Sequence, residues 1–331
     1  MTQTRLCDLP WRSFSVRSAG PDRVEAAPCC QFDTYPLHMP DTGAQTMDNI
    51  GAYLAQMRNG LRRGRLSAPC QTCAYRPWGR LDQLAALIDG KADRNHMLDA
   101  LRDMVADMPP APPTDQMYRV AHTVQGDEFI LSGLVSSFDL LTVAQDHGAP
   151  LTGPVLDWGC GSGRMQPTIT RVWPELDYWG CDIDAQAIAW CRDHLSGQFF
   201  AVDPHPPLPP GLPQFPLVLG FSVLTHLTRA VQAQWFAALR QQITDDGIAV
   251  LTIHGPTAAR RHGFQDDLTA HGILDDRPDP TMDGIAPPGY YRATFQTADW
   301  TARHVAPHFT IADHIPGGVL GFQDIIVLKP V

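Results

Sequence analysis

The stretch Pro154-Val-Leu-Asp-Trp-Gly-Cys-Gly-Ser-Gly-Arg164 decides the fold. Its first four residues read as a short buried strand, and glycines 159, 161 and 163 follow at once. Only glycine lets the backbone turn tightly and meet a ligand with no side chain in the way. A helix starting near Arg164 would present unpaired N–H groups and a partly positive end to that ligand. The spacing is Gly-x-Gly-x-Gly, not the Gly-x-Gly-x-x-Gly of dinucleotide enzymes.

Outward from the loop, strands and helices alternate. Tyr178–Asp182, Phe199–Val202, Leu217–Phe221 and Ile248–Ile253 read as strands; residues 127–145, Ala185–His194 and Ala230–Ile243 read as helices. That alternation implies a parallel, doubly wound sheet. The end differs: His308–Ile315 and Gln323–Leu328 flank Pro316-Gly317-Gly318, which predicts an antiparallel, hairpin-like finish. Asp182 closes the second strand about twenty residues beyond the loop, where its carboxylate can accept both hydroxyls of a ribose. Asp184 suits a helix cap, and Asp203, just after the third strand, is placed to meet an adenine amino group.

On these residues the chain resembles the class I S-adenosylmethionine (SAM)-dependent methyltransferases over roughly residues 125–331. The resemblance rests on the glycine loop, Gly180-Cys-Asp-Ile-Asp184, Phe221-Ser-Val-Leu-Thr-His-Leu227, Asp245-Asp-Gly247 and Gln323-Asp-Ile-Ile-Val-Leu328. It implies a Rossmann-like seven-stranded α/β sheet with the last strand antiparallel. It also implies that Asp157, Gly159, Gly161 and Gly163 line the methionine end of SAM, and Asp182 the ribose. One departure is Pro216, where many relatives carry Asp; it bears on the substrate side rather than on the cofactor.

Methyl transfer from a sulfonium is an in-line displacement in which the protein mainly aligns the acceptor. A base is needed for a hydroxyl or a protonated amine. His226, just beyond the fourth strand, is the first candidate and His254, after the fifth, the second. Tyr290 and Tyr291 follow a Pro/Gly-rich insertion over 256–289 that is expected to form part of an acceptor pocket or a lid, and Tyr291 joins the catalytic candidates. Cys160, Cys181 and Cys191 read as small packing residues. No Asn/Asp-Pro-Pro-Tyr/Phe run follows the fourth strand, so the amino-group chemistry of that motif has no support.

At 331 residues the chain is expected to hold two domains. Its net charge is −10, and residues 1–115 are balanced, with 13 basic and 13 acidic side chains, so the acid excess lies wholly beyond them. Such a surface is a poor partner for nucleic acid. No apolar run long enough for a membrane helix occurs, and the first residues lack the apolar core of a signal peptide, so a cytoplasmic location without membrane contact is expected.

Five cysteines gather in the first 75 residues: Cys7, Cys29, Cys30, Cys70 and Cys73. Cys70-Gln-Thr-Cys73 can clamp one metal, and the upstream pair completes a four-thiolate set suited to an iron–sulfur cluster or to zinc. With Leu9-Pro10-Trp11, Gly20, Arg58 and Gly64, the pattern resembles the SPASM/twitch modules of radical-SAM enzymes over about residues 5–78. That resemblance implies a [4Fe–4S] cluster on Cys7, Cys29, Cys70 and Cys73, with Cys30 an adjacent alternative. The radical-generating Cys-x-x-x-Cys-x-x-Cys is missing. The expected organisation is a metal-binding module over 1–80, a helical segment and Pro-rich linker over 81–113, and the methyltransferase domain over 114–331. The function that follows is methyl transfer to a hydroxyl or amine of a small molecule, sugar or modified peptide, with the first module recognising the acceptor or a partner enzyme. The alternative is a non-catalytic SAM-binding member of a peptide- or glycan-modifying complex.

Overall fold

The chain divides into two units, residues 1–100 and 101–331. The computed structural model describes residues 15–20, 23–27, 37–40, 48–56, 108–319 and 321–331. In the first unit, strands β1 (Ser15–Gly20), β2 (Arg23–Ala27) and β3 (Leu37–Pro40) form an antiparallel sheet in that order. Ala26 packs there with Ile50 and Leu54, which the helical stretch 48–56 offers at i, i+4 spacing. Cys7, Cys29, Cys70 and Cys73, and most of the helix expected over 81–108, lie outside the described residues. Among the described residues no group of three or more His, Cys, Asp or Glu could hold a metal ion, and no helix is long and apolar enough to cross a membrane.

In the second unit, β4 (Gly153–Trp158) and β7 (Phe215–Gly220) carry apolar residues on both faces: Val155, Leu156, Leu217, Val218 and Leu219 are all fully buried. Strands of that composition need cover on both sides. They sit at the centre of a seven-stranded sheet with β5 (Leu176–Asp182), β6 (Gln198–Ala201), β8 (Ile243–Ile253), β11 (Phe309–Val319) and β12 (Gln323–Pro330), in the order β11-β12-β8-β7-β4-β5-β6. The pairings β6-β5-β4-β7-β8 are parallel, whereas β12 runs antiparallel to both β8 and β11. The expected architecture is therefore present, with its last strand reversed. The strand order changes direction between β4 and β7, and the crevice outside such a switch point is where doubly wound sheets bind ligands.

Helices α1 (Thr114–Ala121), α2 (Gly126–Asp146), α3 (Gln166–Val172), α4 (Ala185–His194) and α5 (Arg229–Gln242) accompany this sheet. Asp184 caps α4 by accepting from the N–H groups of Gln186 and Ala187. Cys160, Cys181 and Cys191 are buried packing residues, as their setting suggested.

The helix after the glycine loop begins at Gln166, close to the expected Arg164, while two other local readings change. The loop first spends a turn closed by Gly163 N–H donating to Cys160 O and Gln166 N–H to Gly163 O. The Pro316-Gly317-Gly318 run is not the hairpin reversal but an irregularity inside β11, between Ile315 and Val319. The buried Asp324 holds it there, accepting from Gly317 N–H at 2.9 Å and pairing with His314 at 2.8 Å. The insertion after β8 is structured: α6 (Pro256–Arg261), α7 (Gln265–His271), β9 (Ile273–Pro278) and β10 (Arg292–Gln296), the two strands pairing antiparallel, followed by α8 (Ala298–Val305).

Candidate active site

One cavity of about 530 Å³ opens at the C-terminal edge of the sheet. Asp157, Trp158, Gly159 and Gly161 after β4, Asp182 and Ile183 after β5, and Val202 after β6 line one half. Asp157 is fully buried, and Tyr178 OH donates to its Oδ2 at 2.5 Å while Oδ1 has no hydrogen-bond partner. Burial pushes its carboxyl up to about 7, against the opposing pull of Tyr178 and the Arg164 charge. Asp182 accepts from Gly161 N–H through Oδ2 and from Asp184 N–H through Oδ1, each at 2.8 Å. Burial raises its pKa as well, and the backbone donors work against that rise. Each oxygen keeps lone-pair capacity for a further donor.

Gly161 sits at φ +56°, and a Cβ there would stand 2.6 Å from a methyl of Val120. The contact brings in α1, which the sequence reading did not separate from its surroundings. Gln116, Arg119 and Val120 of α1 line the cavity. Arg119 ties the helix to Asp184 at 3.1 Å, both side chains largely buried, and Gln116 Oε1 is buried without a partner. Two expected contacts fall elsewhere. Gly163 is not in the lining; a Cβ there would strike Leu195, so this glycine serves the packing of the loop on α4. Asp203 is exposed and outside the lining, the neighbouring Val202 taking that wall.

The three catalytic candidates, His226, His254 and Tyr291, meet in the other half of the same cavity. Tyr291 stacks flat on His226, with ring centres 4.1 Å apart, and bridge pairing of Leu227 with Tyr291 sets that register. His226 Nδ1 stands 3.4 Å from Asp279 Oδ2, in ion-pair range without the alignment of a full hydrogen bond. The His226 ring, helped by Thr281 donating to Asp279 Oδ1 at 3.0 Å, holds the Asp279 carboxyl well below the usual carboxylate range. His254 is buried, its Nδ1 has no partner, and its ring is 6.2 Å from that of His226. Burial first, then the neighbouring His226 and His262, push its pKa down to about 3. It is therefore neutral near pH 7 and a weak proton acceptor, which counts against it as the base. Burial lifts the Tyr291 phenol well above its ordinary value, so it stays protonated. Arg164 lies with its guanidinium 4.2 Å over the Phe221 ring; burial lowers it to about 10, and it keeps its charge.

Residues 155–247, which hold the glycine loop, Asp182 and His226, match the family model described as a methyltransferase domain. The chain carries a methyltransferase domain. The sheet order and the reversed last strand agree with the class I SAM-dependent resemblance drawn from the sequence. Ribosomal RNA small subunit methyltransferase C of Shewanella sediminis (strain HAW-EB3) is 37% identical over 60 residues, 18% of this chain. The match spans 18% of that relative's length, less than a fifth. Among solved structures, a SAM-dependent methyltransferase from Clostridium acetobutylicum ATCC 824 aligns at 11% identity and TM-score 0.41, covering 58% of this chain and 89% of that one. The PH0226 protein of Pyrococcus horikoshii OT3 aligns at 17% identity and TM-score 0.43, covering 59% and 90%.

In this methyltransferase domain, Asp279, Gln116 and Arg119 are the site residues the sequence reading missed. Asp279 lies among five other aspartates between 266 and 283 with no periodicity to single it out. Gln116 and Arg119 sit on an eight-residue helix of which only Gln116 and Met117 are buried.

Proposed function

We propose that this chain transfers a methyl group from SAM to a hydroxyl or amine of a small-molecule, sugar or peptide acceptor, with His226 as base and Asp279 positioning it. The observation that carries the reading is the single cavity in which the Asp279–His226–Tyr291 set stands opposite Gly161 and Asp182. The donors and acceptors fit the cofactor: Asp182 keeps acceptor capacity for ribose hydroxyls, and the orphaned acceptors Asp157 Oδ1 and Gln116 Oε1 suit a methionine ammonium. When bound, SAM supplies a methyl already activated on sulfur.

The protein's own work is alignment and proton management. Asp279 faces Nδ1 of His226, so Nε2 is the nitrogen left to take the acceptor's proton. Tyr291 fixes the plane of that ring by stacking. Calorimetry with SAM, followed by S-adenosylhomocysteine release from fractionated host metabolites, tests the proposal. Release that is lost in His226→Ala with SAM affinity intact is expected. A SAM complex that never turns over with any fraction would favour the non-catalytic holder.

The spacing of Cys7, Cys29, Cys70 and Cys73 supports a second element of the proposal: residues 1–80 hold a [4Fe–4S] cluster, with zinc the alternative, and help to recognise the acceptor or a partner enzyme.

A further inference from the structure

We infer that the acceptor is a planar aromatic hydroxyl compound, bound in the half of the cavity beyond His226. This rests on the methyltransferase reading of the site and names its substrate class. The wall facing the histidines is made of rings. Phe264 and Phe322, both half-buried, line the cavity with the buried Phe295, and His262 completes the group. The rings contact one another edge-on and tilted: Phe264–Phe295 at 5.4 Å, His262–Phe322 at 5.7 Å and His254–Phe322 at 5.1 Å. The Arg277 guanidinium covers one face of Phe264 at 3.6 Å and is itself not in the lining, so Phe264 offers the cavity ring carbon. Met282, a deformable thioether, closes the same wall.

Among the polar groups at this end, Asp279, His226 and Tyr291 lie together. His226 Nε2 is free to accept a proton, and His254, neutral and buried, keeps Nδ1 without a partner. Of the cations in the lining, Arg119 pairs with Asp115 and Asp184, and Arg164 lies over the Phe221 ring with its charge kept. The ring wall itself offers no hydrogen bond or charge, so it gains most from a flat apolar face laid against it. A flat ring with one hydroxyl directed at His226 suits both the wall and the base. A phenolic hydroxyl is also more acidic than an aliphatic one, so an imidazole helps to remove its proton more readily. In the reaction the acceptor oxygen forms its bond to the methyl carbon as the carbon–sulfur bond breaks. The hydroxyl proton passes to His226, and the sulfonium charge disappears as S-adenosylhomocysteine forms.

The test uses the full chain saturated with S-adenosylhomocysteine and two probes of one skeleton, 2-naphthol and its puckered saturated counterpart 2-decalol. Calorimetry is expected to give 2-naphthol at least about tenfold tighter binding, and Phe264→Leu with Phe322→Leu should erase most of that ratio. Naphthalene, without the hydroxyl, should bind more weakly than 2-naphthol. Equal binding of naphthol and decalol, no binding of either, or a preference that survives both substitutions would overturn the inference while S-adenosylhomocysteine affinity stands. Loss of S-adenosylhomocysteine binding by the unaltered chain would instead overturn the reading beneath it, and the inference with it.

Discussion

Replacing Asp157 by Asn and, separately, His254 by Gln should uncover two opposed pH dependences that mask each other in the unaltered protein. Asp157 is buried, and its carboxyl rises from 3.8 to about 7 on folding. A raised carboxyl binds its proton more tightly in the folded chain. Its contribution is therefore full below pH 4 and is lost as pH climbs to 7, at about 1.4 kcal/mol per unit and about 4 kcal/mol in all. His254 behaves in the opposite sense. Its pKa falls from 6.5 to about 3 on folding, so its contribution is full above pH 6.5 and is lost as pH drops towards 3, about 5 kcal/mol in all. Between about pH 4 and 6.5 the two slopes cancel. Urea unfolding of the ligand-free chain, followed by tryptophan fluorescence at half-unit steps across that window, measures the balance. Asp157→Asn should gain about 3 kcal/mol from pH 4 to 6.5, and His254→Gln should lose about as much. Asp182, also raised by burial, adds to the falling arm in all three proteins, so the differences among the profiles carry the test. Three parallel profiles would refute the argument.

Asp182→Ala should weaken SAM binding by about 1.5–3 kcal/mol in calorimetry, since a charge-assisted contact to the ribose is lost; unchanged affinity would rule out the ribose assignment. Gly161→Ala puts a methyl 2.6 Å from Val120 at φ +56°, and should cost about 1–3 kcal/mol of stability in denaturant unfolding, with SAM binding weakened alongside. Asp279→Asn should lower turnover about tenfold or more at unchanged SAM affinity, because His226 loses its charged neighbour; equal turnover would show that the pair has no positioning role. For the first module, anaerobic purification should give a brown protein bleached by Cys70→Ser; a colourless protein with stoichiometric zinc would dismiss the cluster.

What the sequence made legible was whatever its local spacing dictates. A buried strand that must turn sharply needs glycines, and Asp182 is marked by its place at the end of the next strand, so Asp157, Gly159, Gly161 and Asp182 were legible as lining residues while Asp203 was not placed there. Gly163 shows the limit: glycine is required there too, but for Leu195 rather than for a ligand. His226, His254 and Tyr291 were candidates only because they follow strand ends or an insertion; their meeting depends on β10 returning beside the 226–227 turn. Asp279 had no local signal, since its role exists only once the single tight helical turn Pro280–Met282 sets it against a histidine some fifty positions earlier. Helix α1 was invisible for a related reason: Val120 matters because it covers a glycine on another element.

The insertion between β8 and α8 gives the cavity a division of labour along the chain. Most of the acceptor wall, from His254 through Phe264, Asp279 and Met282 to Tyr291 and Phe295, comes from one continuous excursion, whereas the cofactor wall comes from residues 116 to 202. Under the proposed function, substitutions in the excursion are expected to change acceptor preference while leaving Gly161 and Asp182 in place, which makes that single segment the natural unit to exchange when a new acceptor is sought.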